Sequence, residues 1–125
     1  MRIRTALYFL FIILPLLTSC DYESSLVLEN KTTTTIQLSV VGSPIQEYGA
    51  ITLTNTINNK YSYDLPAQNE HPLVLLINQS LTVDKIPFDS LEIITNTDTL
   101  NFNSPDEIFK AMMERVNRYY TITIE

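Results

Sequence analysis

His71 is the only histidine in the 125-residue chain, so any Ser-His-Asp arrangement for hydrolysis has to pass through it. It stands between Glu70 and Pro72, a setting that predicts an exposed loop residue. No serine lies in the Gly-x-Ser-x-Gly elbow that presents a nucleophile. A small hydrolase working through His71 is therefore a weaker hypothesis than a protein without enzymatic activity.

Metal sites are poorly supported by the composition. One histidine and one cysteine cannot supply the three or four nitrogen and sulfur ligands that zinc requires. Asn96, Asp98 and Glu107 match offsets 1, 3 and 12 of a calcium loop, but Leu100 and Asn101 occupy the fifth ligand and the obligatory glycine positions. A hairpin turn followed by a helix cap explains these residues better, and we expect no metal and no cofactor.

Carbohydrate chemistry has two further candidates. Four tyrosines could stack on a sugar: Tyr61, Tyr63, Tyr119 and Tyr120. The chain has no tryptophan, and three of these tyrosines have the inward phase of their segments, so core packing is favoured. Asp89-Ser90-Leu91 and Asp98-Thr99-Leu100 each resemble the Asp-Ser/Thr-aliphatic acceptor of O-glycosylated Gram-negative envelope proteins. That resemblance implies Ser90 and Thr99 as possible glycosylation sites. The fourteen acidic residues are evenly spread, and no spacing selects a catalytic carboxylate pair.

The first twenty residues have the layout of a bacterial export signal. Arg2 and Arg4 precede an apolar run at residues 6–17, which as a helix is about 18 Å long and too short to span a bilayer core of about 30 Å. Leu17-Thr18-Ser19-Cys20 then resembles the lipobox of bacterial lipoprotein precursors, and the only cysteine of the chain falls at its obligatory position. The resemblance implies a signal peptide at residues 1–19 and lipidation of Cys20.

The expected mature chain, residues 20–125, is acidic. Removing Arg2 and Arg4 with the signal leaves 6 basic and 14 acidic side chains, a formal charge of −8. Such a balance disfavours nucleic-acid binding, which needs clustered Lys and Arg. We expect residues 20–25 to be a flexible lipidated tether and residues 26–125 to be the domain. Asp21 directly follows the cysteine, and the lipoprotein resemblance gives this acidic residue two meanings. Similarity to lipoproteins of other diderm bacteria implies the outer membrane, whereas similarity to enterobacterial lipoproteins implies the alternative, the periplasmic face of the inner membrane.

Period-2 alternation and abundant Thr and Ile predict strands through most of the mature chain. Ile36–Val40 alternates cleanly, and Leu26–Leu28 is its expected hairpin partner across Glu29–Lys31. The unbroken apolar run Leu73–Ile77 predicts a central strand buried on both faces. A short strand is expected at Leu81–Val83, and Leu91–Thr95 and Thr99–Phe102 are expected to form a hairpin.

Register decides the turn after residues 51–57. A two-residue loop would place the apolar rows of residues 51–57 and 61–65 on opposite faces. A three-residue loop, Asn58-Asn59-Lys60, pairs Leu53 with Leu65 and gives both rows one face. The sequence therefore favours the three-residue loop, with an asparagine in the left-handed conformation.

A helix is expected to begin at Ser104, with Pro105 at its first position and Glu107 closing a capping box. Apolar spacing extends it to about Asn117, with an inward face formed by Phe109, Met112, Met113 and Val116. Tyr120, Ile122 and Ile124 then alternate as a final strand.

Seven or eight short strands and one helix before the last strand predict an all-β antiparallel sandwich. A single curved sheet with the helix on one face is the alternative. The leading functional hypothesis is a non-enzymatic, lipid-anchored envelope protein that binds an unidentified protein partner. An inhibitor or protective protein that binds a cationic enzyme is its rival.

Overall fold

Alternating apolar side chains build nine strands in the computed structural model, which describes residues 21–116 and 118–125. The strands are β1 (Glu23–Asn30), β2 (Ile36–Gly42), β3 (Thr52–Ile57), β4 (Lys60–Leu65), β5 (Asn69–Ile77), β6 (Phe88–Ile94), β7 (Thr99–Phe102), β8 (Met113–Val116) and β9 (Tyr119–Ile124). They form a four-stranded sheet in the order β5-β1-β9-β8 and a five-stranded sheet in the order β3-β4-β2-β6-β7. One short helix, α1 (Pro105–Ala111), and a 3-10 turn at Val83–Lys85 complete the described elements. The expected all-β sandwich is confirmed, and the single curved sheet is wrong.

Both sheets contribute to one apolar core. Leu26 and Leu28 of β1 and Leu38 and Val40 of β2 are fully buried in the same cluster, although the two strands belong to different sheets. The expected hairpin between β1 and β2 is therefore wrong, because the chain crosses between sheets after Asn30. β1 pairs instead with β5 and with the last strand, β9, which runs parallel to it. All other strand pairs in the described part of the chain are antiparallel.

β5 lies at the edge of its sheet rather than at the centre. It pairs with β1 alone among the described strands, and the side chains of Leu75 and Ile77 are 49% and 47% exposed. The uninterrupted apolar run at Leu73–Ile77 correctly predicted a strand. It could not predict the position of that strand in the sheet, because the position depends on pairing with distant segments.

The β3–β4 hairpin corrects the predicted register. Its loop has two residues, since Ile57 pairs with Lys60, and Asn58 has a φ of 54°. A bulge between Leu53 and Asn55 then shifts the pairing by one residue, so that Leu53 lies opposite Tyr63 rather than Leu65. The bulge returns Leu53 to the face of Tyr63 without a longer loop. Ile57, on the turn side of the bulge, pairs with Lys60 and is 60% exposed, so it stays off that face.

The helix begins as predicted and ends early. Glu107 N donates to Ser104 Oγ at 3.2 Å, and Glu107 Oε2 accepts from Asn103 N at 2.6 Å. After Ala111 the chain becomes β8, so the helix precedes the last two strands rather than the last one. Ile108 is the buried residue of α1, whereas Met113, expected on its inward face, is 59% exposed.

Of the other predicted elements, two are confirmed and one is wrong. The β6–β7 hairpin and the final strand are confirmed, with Ile94 opposite Thr99. No strand forms at Leu81–Val83, where the chain enters the 3-10 turn. Within residues 21–116 and 118–125, no helix has the length and apolar character needed to cross a membrane.

The domain begins closer to Cys20 than expected. β1 starts at Glu23, so the last three residues of the expected tether belong to a strand, and Ser24 is fully buried. The segment expected to be an export signal, residues 1–19, and Cys20 lie outside the described residues.

Candidate binding groove beside β5

His71 is a buried strand residue, which corrects the expected exposed loop position. Its side chain is 1% exposed, and its Nε2 lies 2.7 Å from the carbonyl oxygen of Gln46. Because a carbonyl only accepts, Nε2 carries the proton. The Tyr48 ring packs against the imidazole with centroids 5.0 Å apart. His71 thus fastens the β2–β3 connection to β5.

Burial sets the protonation behaviour of this histidine. Desolvation lowers the pKa of His71, and the hydrogen bond to the Gln46 carbonyl opposes that effect in part. The imidazole is therefore neutral at pH 7, enclosed, and already bound through Nε2. This arrangement suits a structural cross-link, and it gives no open path from the imidazole to a substrate.

A groove of about 320 Å³ lies between the edge of β5 and the β2–β3 connection. Five consecutive residues of β5, from Pro72 to Leu76, line it. Pro44, Gln46, Tyr48, Lys85 and Pro87 complete the lining. Most of the lining residues are apolar, but polar atoms make up nearly half of the exposed groove surface. Tyr48 is exposed there, and Lys85 supplies a positive charge.

The backbone of an edge strand determines what this groove can bind. β5 uses one edge to pair with β1, and its other edge borders the groove. An extended segment can add to such an edge through main-chain hydrogen bonds, while side-chain pockets give specificity. Leu75 offers an apolar contact at this position, since half of its side chain is exposed.

A second, polar depression lies at the other end of β5. Glu29 and Glu70 are direct cross-strand neighbours there and line it together with Lys31. The hydroxyl of Tyr119 donates to Glu70 Oε2 at 3.4 Å, and Lys31 Nζ lies 3.7 Å from Glu29 Oε2. Burial raises the pKa of Tyr119, and the two nearby carboxylates raise it further. Like charges directly opposite each other on paired strands repel, and a positive charge beside them, such as that of Lys31, relieves the repulsion.

The four tyrosines predicted to pack in the core differ in how deeply they are buried. Tyr63 is fully buried, and its hydroxyl accepts from Ile45 N at 2.8 Å and donates to Ile45 O at 3.3 Å. Tyr61 and Tyr120 are partly buried against the core. Tyr119 lies over the polar depression.

The calcium-loop residues have local structural roles. Asp98 Oδ1 accepts from Thr99 N at 2.8 Å in the β6–β7 turn, Glu107 caps α1, and Asn96 is exposed. In the part of the chain that the structure describes, no group of three or more His, Cys, Asp or Glu is placed to hold a metal ion. Of the two possible glycosylation residues, Thr99 is exposed in β7 and Ser90 is half-buried in β6.

Sequence reasoning missed the groove because it placed β5 in the centre of a sheet. One signal was present: Pro72 has no backbone N–H, so a strand that contains it is more suited to a sheet edge. Comparison of the chain with protein-family models, curated proteins and solved structures finds no match.

Proposed function

We propose that this chain is a lipid-anchored cell-envelope protein without enzymatic activity, which binds a partner protein through the β5 groove. The anchor is a lipid on Cys20, inserted in the outer membrane or, alternatively, in the periplasmic face of the inner membrane. The edge of β5 beside an open groove of mostly apolar residues is the observation that carries the binding function. The burial of His71 weighs against the rival hydrolase.

The occupant that the groove suits is an extended segment of another protein. Main-chain groups along an edge strand recognise a strand without regard to its sequence, and Leu75, Tyr48 and Lys85 add side-chain contacts. An apolar segment with an acidic residue opposite Lys85 satisfies both kinds of contact. We expect binding to depend on the exposed part of Leu75.

Photo-crosslinking in the native envelope tests the groove. Benzoylphenylalanine at position 48 should give a discrete adduct, and the same group at Thr97, in the β6–β7 turn, should not. Adding Leu75→Asp should lower the adduct yield from position 48 at least about fivefold. Ile57→Asp is the matched control, because Ile57 is 60% exposed on another edge strand. Equal losses with both substitutions would contradict binding at the groove.

Metabolic labelling with an alkyne fatty acid tests the anchor. The wild-type chain should incorporate label and Cys20→Ser should not, because the thiol is the acceptor that the lipobox resemblance implies. Label that persists in Cys20→Ser would remove the lipoprotein assignment.

The neighbouring Glu29 and Glu70 favour a second candidate function, inhibition or protection through binding of a cationic enzyme. Attraction between an acidic surface and a cationic enzyme is screened by salt, with a Debye length of about 8 Å at 0.15 M. For such a partner, Glu29→Gln with Glu70→Gln should slow association and weaken its salt dependence. An unchanged rate would exclude this candidate.

A further inference from the structure

The residues that directly follow Cys20 are fixed to the domain. The backbone N–H of Tyr22 donates to Asn78 Oδ1 at 3.0 Å, and the Tyr22 carbonyl accepts from Asn78 N at 2.8 Å. Asn78 Nδ2 donates to Asp21 Oδ1 at 2.8 Å. One asparagine therefore holds the two residues that precede β1.

A second contact fixes the same segment from the other side. The guanidinium carbon of Arg118 lies 4.1 Å from the centroid of the Tyr22 ring, a cation–π arrangement. The Arg118 carbonyl also accepts from Ser25 N at 3.0 Å. We call the surface formed by Asp21, Tyr22, Ile77, Asn78 and Arg118 the anchor end.

We propose that the anchor end rests on the phospholipid bilayer that carries the lipid of Cys20, so that the domain is docked on its membrane rather than tethered above it. This inference rests on the proposed lipidation of Cys20. Adjacent Cα atoms are about 3.8 Å apart, so the lipidated residue is one peptide unit from a segment held by the domain. Ile77 pairs with Glu23, which places its Cα within roughly 16 Å of that of Cys20.

The chemistry of the anchor end suits the interfacial layer of a bilayer. Ile77 presents an apolar side chain, Tyr22 an amphipathic ring and Arg118 an exposed guanidinium that can contact lipid phosphate. Glu23 is also exposed there and repels anionic lipid, and Asp21 adds a second acidic group. The short covalent link, rather than net charge, is therefore what brings this end to the surface.

Docking also gives the β5 groove a position relative to the membrane. Leu75 is two residues from Ile77, or about 7 Å along the strand. The opposite end of the sandwich, which includes Lys31 and Thr97 in one depression, lies on the order of 20 Å further from the bilayer, since β1 spans eight residues. A partner in the groove is then bound close to the membrane surface.

Tryptophan fluorescence in vesicles tests the docking, because the chain has no tryptophan of its own. Full-length lipidated Ile77→Trp and Thr97→Trp are reconstituted into phosphatidylethanolamine–phosphatidylglycerol vesicles with brominated acyl chains. We expect bromine to quench the indole at position 77 at least about twofold more strongly than the indole at position 97. Equal quenching at both positions would overturn the proposal.

Two further variants test whether the short link to Cys20 and the Asn78 contacts with Asp21 and Tyr22 cause the stronger quenching at position 77. Inserting ten Gly and Ser residues between Cys20 and Asp21 adds a mean reach of roughly 17 Å and should abolish the difference between the two positions. Asn78→Gly should reduce that difference, because Gly keeps the φ of 56° and removes both side-chain bonds to Asp21 and Tyr22. Quenching that survives the ten-residue insertion unchanged would overturn the proposal.

Mass spectrometry of the same samples separates this inference from the proposed function. A protein without acyl chains overturns both. A protein that carries its acyl chains and floats with the vesicles, but whose indole at position 77 is not preferentially quenched, overturns docking alone and leaves the lipid anchor intact.

Discussion

The side chain of Asn30 joins the two sheets by donating from Nδ2 to the carbonyl oxygen of Leu65 at 3.1 Å. The same amide nitrogen lies 2.9 Å from Thr34 O and 3.0 Å from Pro66 O, and Oδ1 accepts from Thr32 N at 3.0 Å. Asn30 is almost fully buried at the end of β1, where the chain leaves the four-stranded sheet. A single amide from the four-stranded sheet therefore bonds backbone groups of β4 and of the two loops beside the crossing.

Replacing this amide with a carboxylate removes the donor and places a charge beside three carbonyl oxygens. Asn30→Asp should lower the free energy of unfolding by at least about 3 kcal/mol at pH 7, measured by urea denaturation. Asn69→Asp is the matched control, because Asn69 Nδ2 has one partner, Ala67 O, and the side chain is only half-buried; it should cost less than about 1 kcal/mol. Similar losses for both variants would contradict the role assigned to Asn30.

Local signals predicted the elements that depend on local chemistry. The capped start of α1 at Ser104, the β6–β7 hairpin and the final strand all follow from turn residues and short-range patterning. The early end of α1 did not follow, because apolar spacing at Met112 and Met113 is compatible with both helix and strand.

Long-range pairing is where prediction failed. Nothing in residues 23–30 indicates that β1 pairs in parallel with β9 near the other end of the chain. The edge position of β5, and with it the groove, depends on the same choice of partners. The bulge between Leu53 and Asn55 also escaped prediction, because the strand alternation does not reveal an extra residue.

The buried His71 should make stability depend on pH. Its pKa is lowered in the native state, so the unfolded chain takes up a proton first as the pH falls through about 6.5. Its contribution to stability is therefore complete above that pH and is lost below it, at up to about 1.4 kcal/mol per pH unit. Urea titrations between pH 8 and 5 should show a steeper loss for wild type than for His71→Gln, which keeps a donor for Gln46 O. Parallel curves would show that His71 protonates equally in both states.

The left-handed conformation of Asn58 should determine how the β3–β4 turn tolerates substitution. Its φ of 54° is costly for residues with a Cβ other than Asn and Asp. Asn58→Ala should therefore destabilise the protein by about 1 kcal/mol, whereas Asn58→Gly should be close to neutral, as measured by thermal unfolding. Asn59→Ala is the control within the same turn, because the contact that Asn59 makes with Gly42 N uses its backbone carbonyl. A larger loss from Asn59→Ala than from Asn58→Ala would refute this account of the turn.

Gly42 should not accept a side chain at the end of β2. Its φ is 117°, and a Cβ there would lie 2.9 Å from the carbonyl oxygen of Pro87. Gly42→Ala should lower the free energy of unfolding by about 2 kcal/mol, since both the backbone and the close approach oppose it. Gly49→Ala meets no atom within 4 Å, although its φ of 77° also disfavours alanine, and should cost about 1 kcal/mol. Equal losses would mean that the Pro87 contact relaxes without cost.

Two buried serines should respond to alanine with opposite signs. Ser24 is fully buried in β1, and its Oγ has no hydrogen-bond partner among the described residues. Ser39 is also buried, but its Oγ lies 2.9 Å from Ser62 Oγ on the neighbouring strand β4. An unpartnered hydroxyl opposes folding because it gives up its bond to water, whereas a partnered one recovers that bond in the native state. Ser24→Ala should therefore raise the free energy of unfolding by about 1 kcal/mol and Ser39→Ala should lower it by about 1 kcal/mol, measured side by side in urea. Destabilisation by Ser24→Ala of the same size as by Ser39→Ala would show that the Ser24 hydroxyl is bonded in the folded protein.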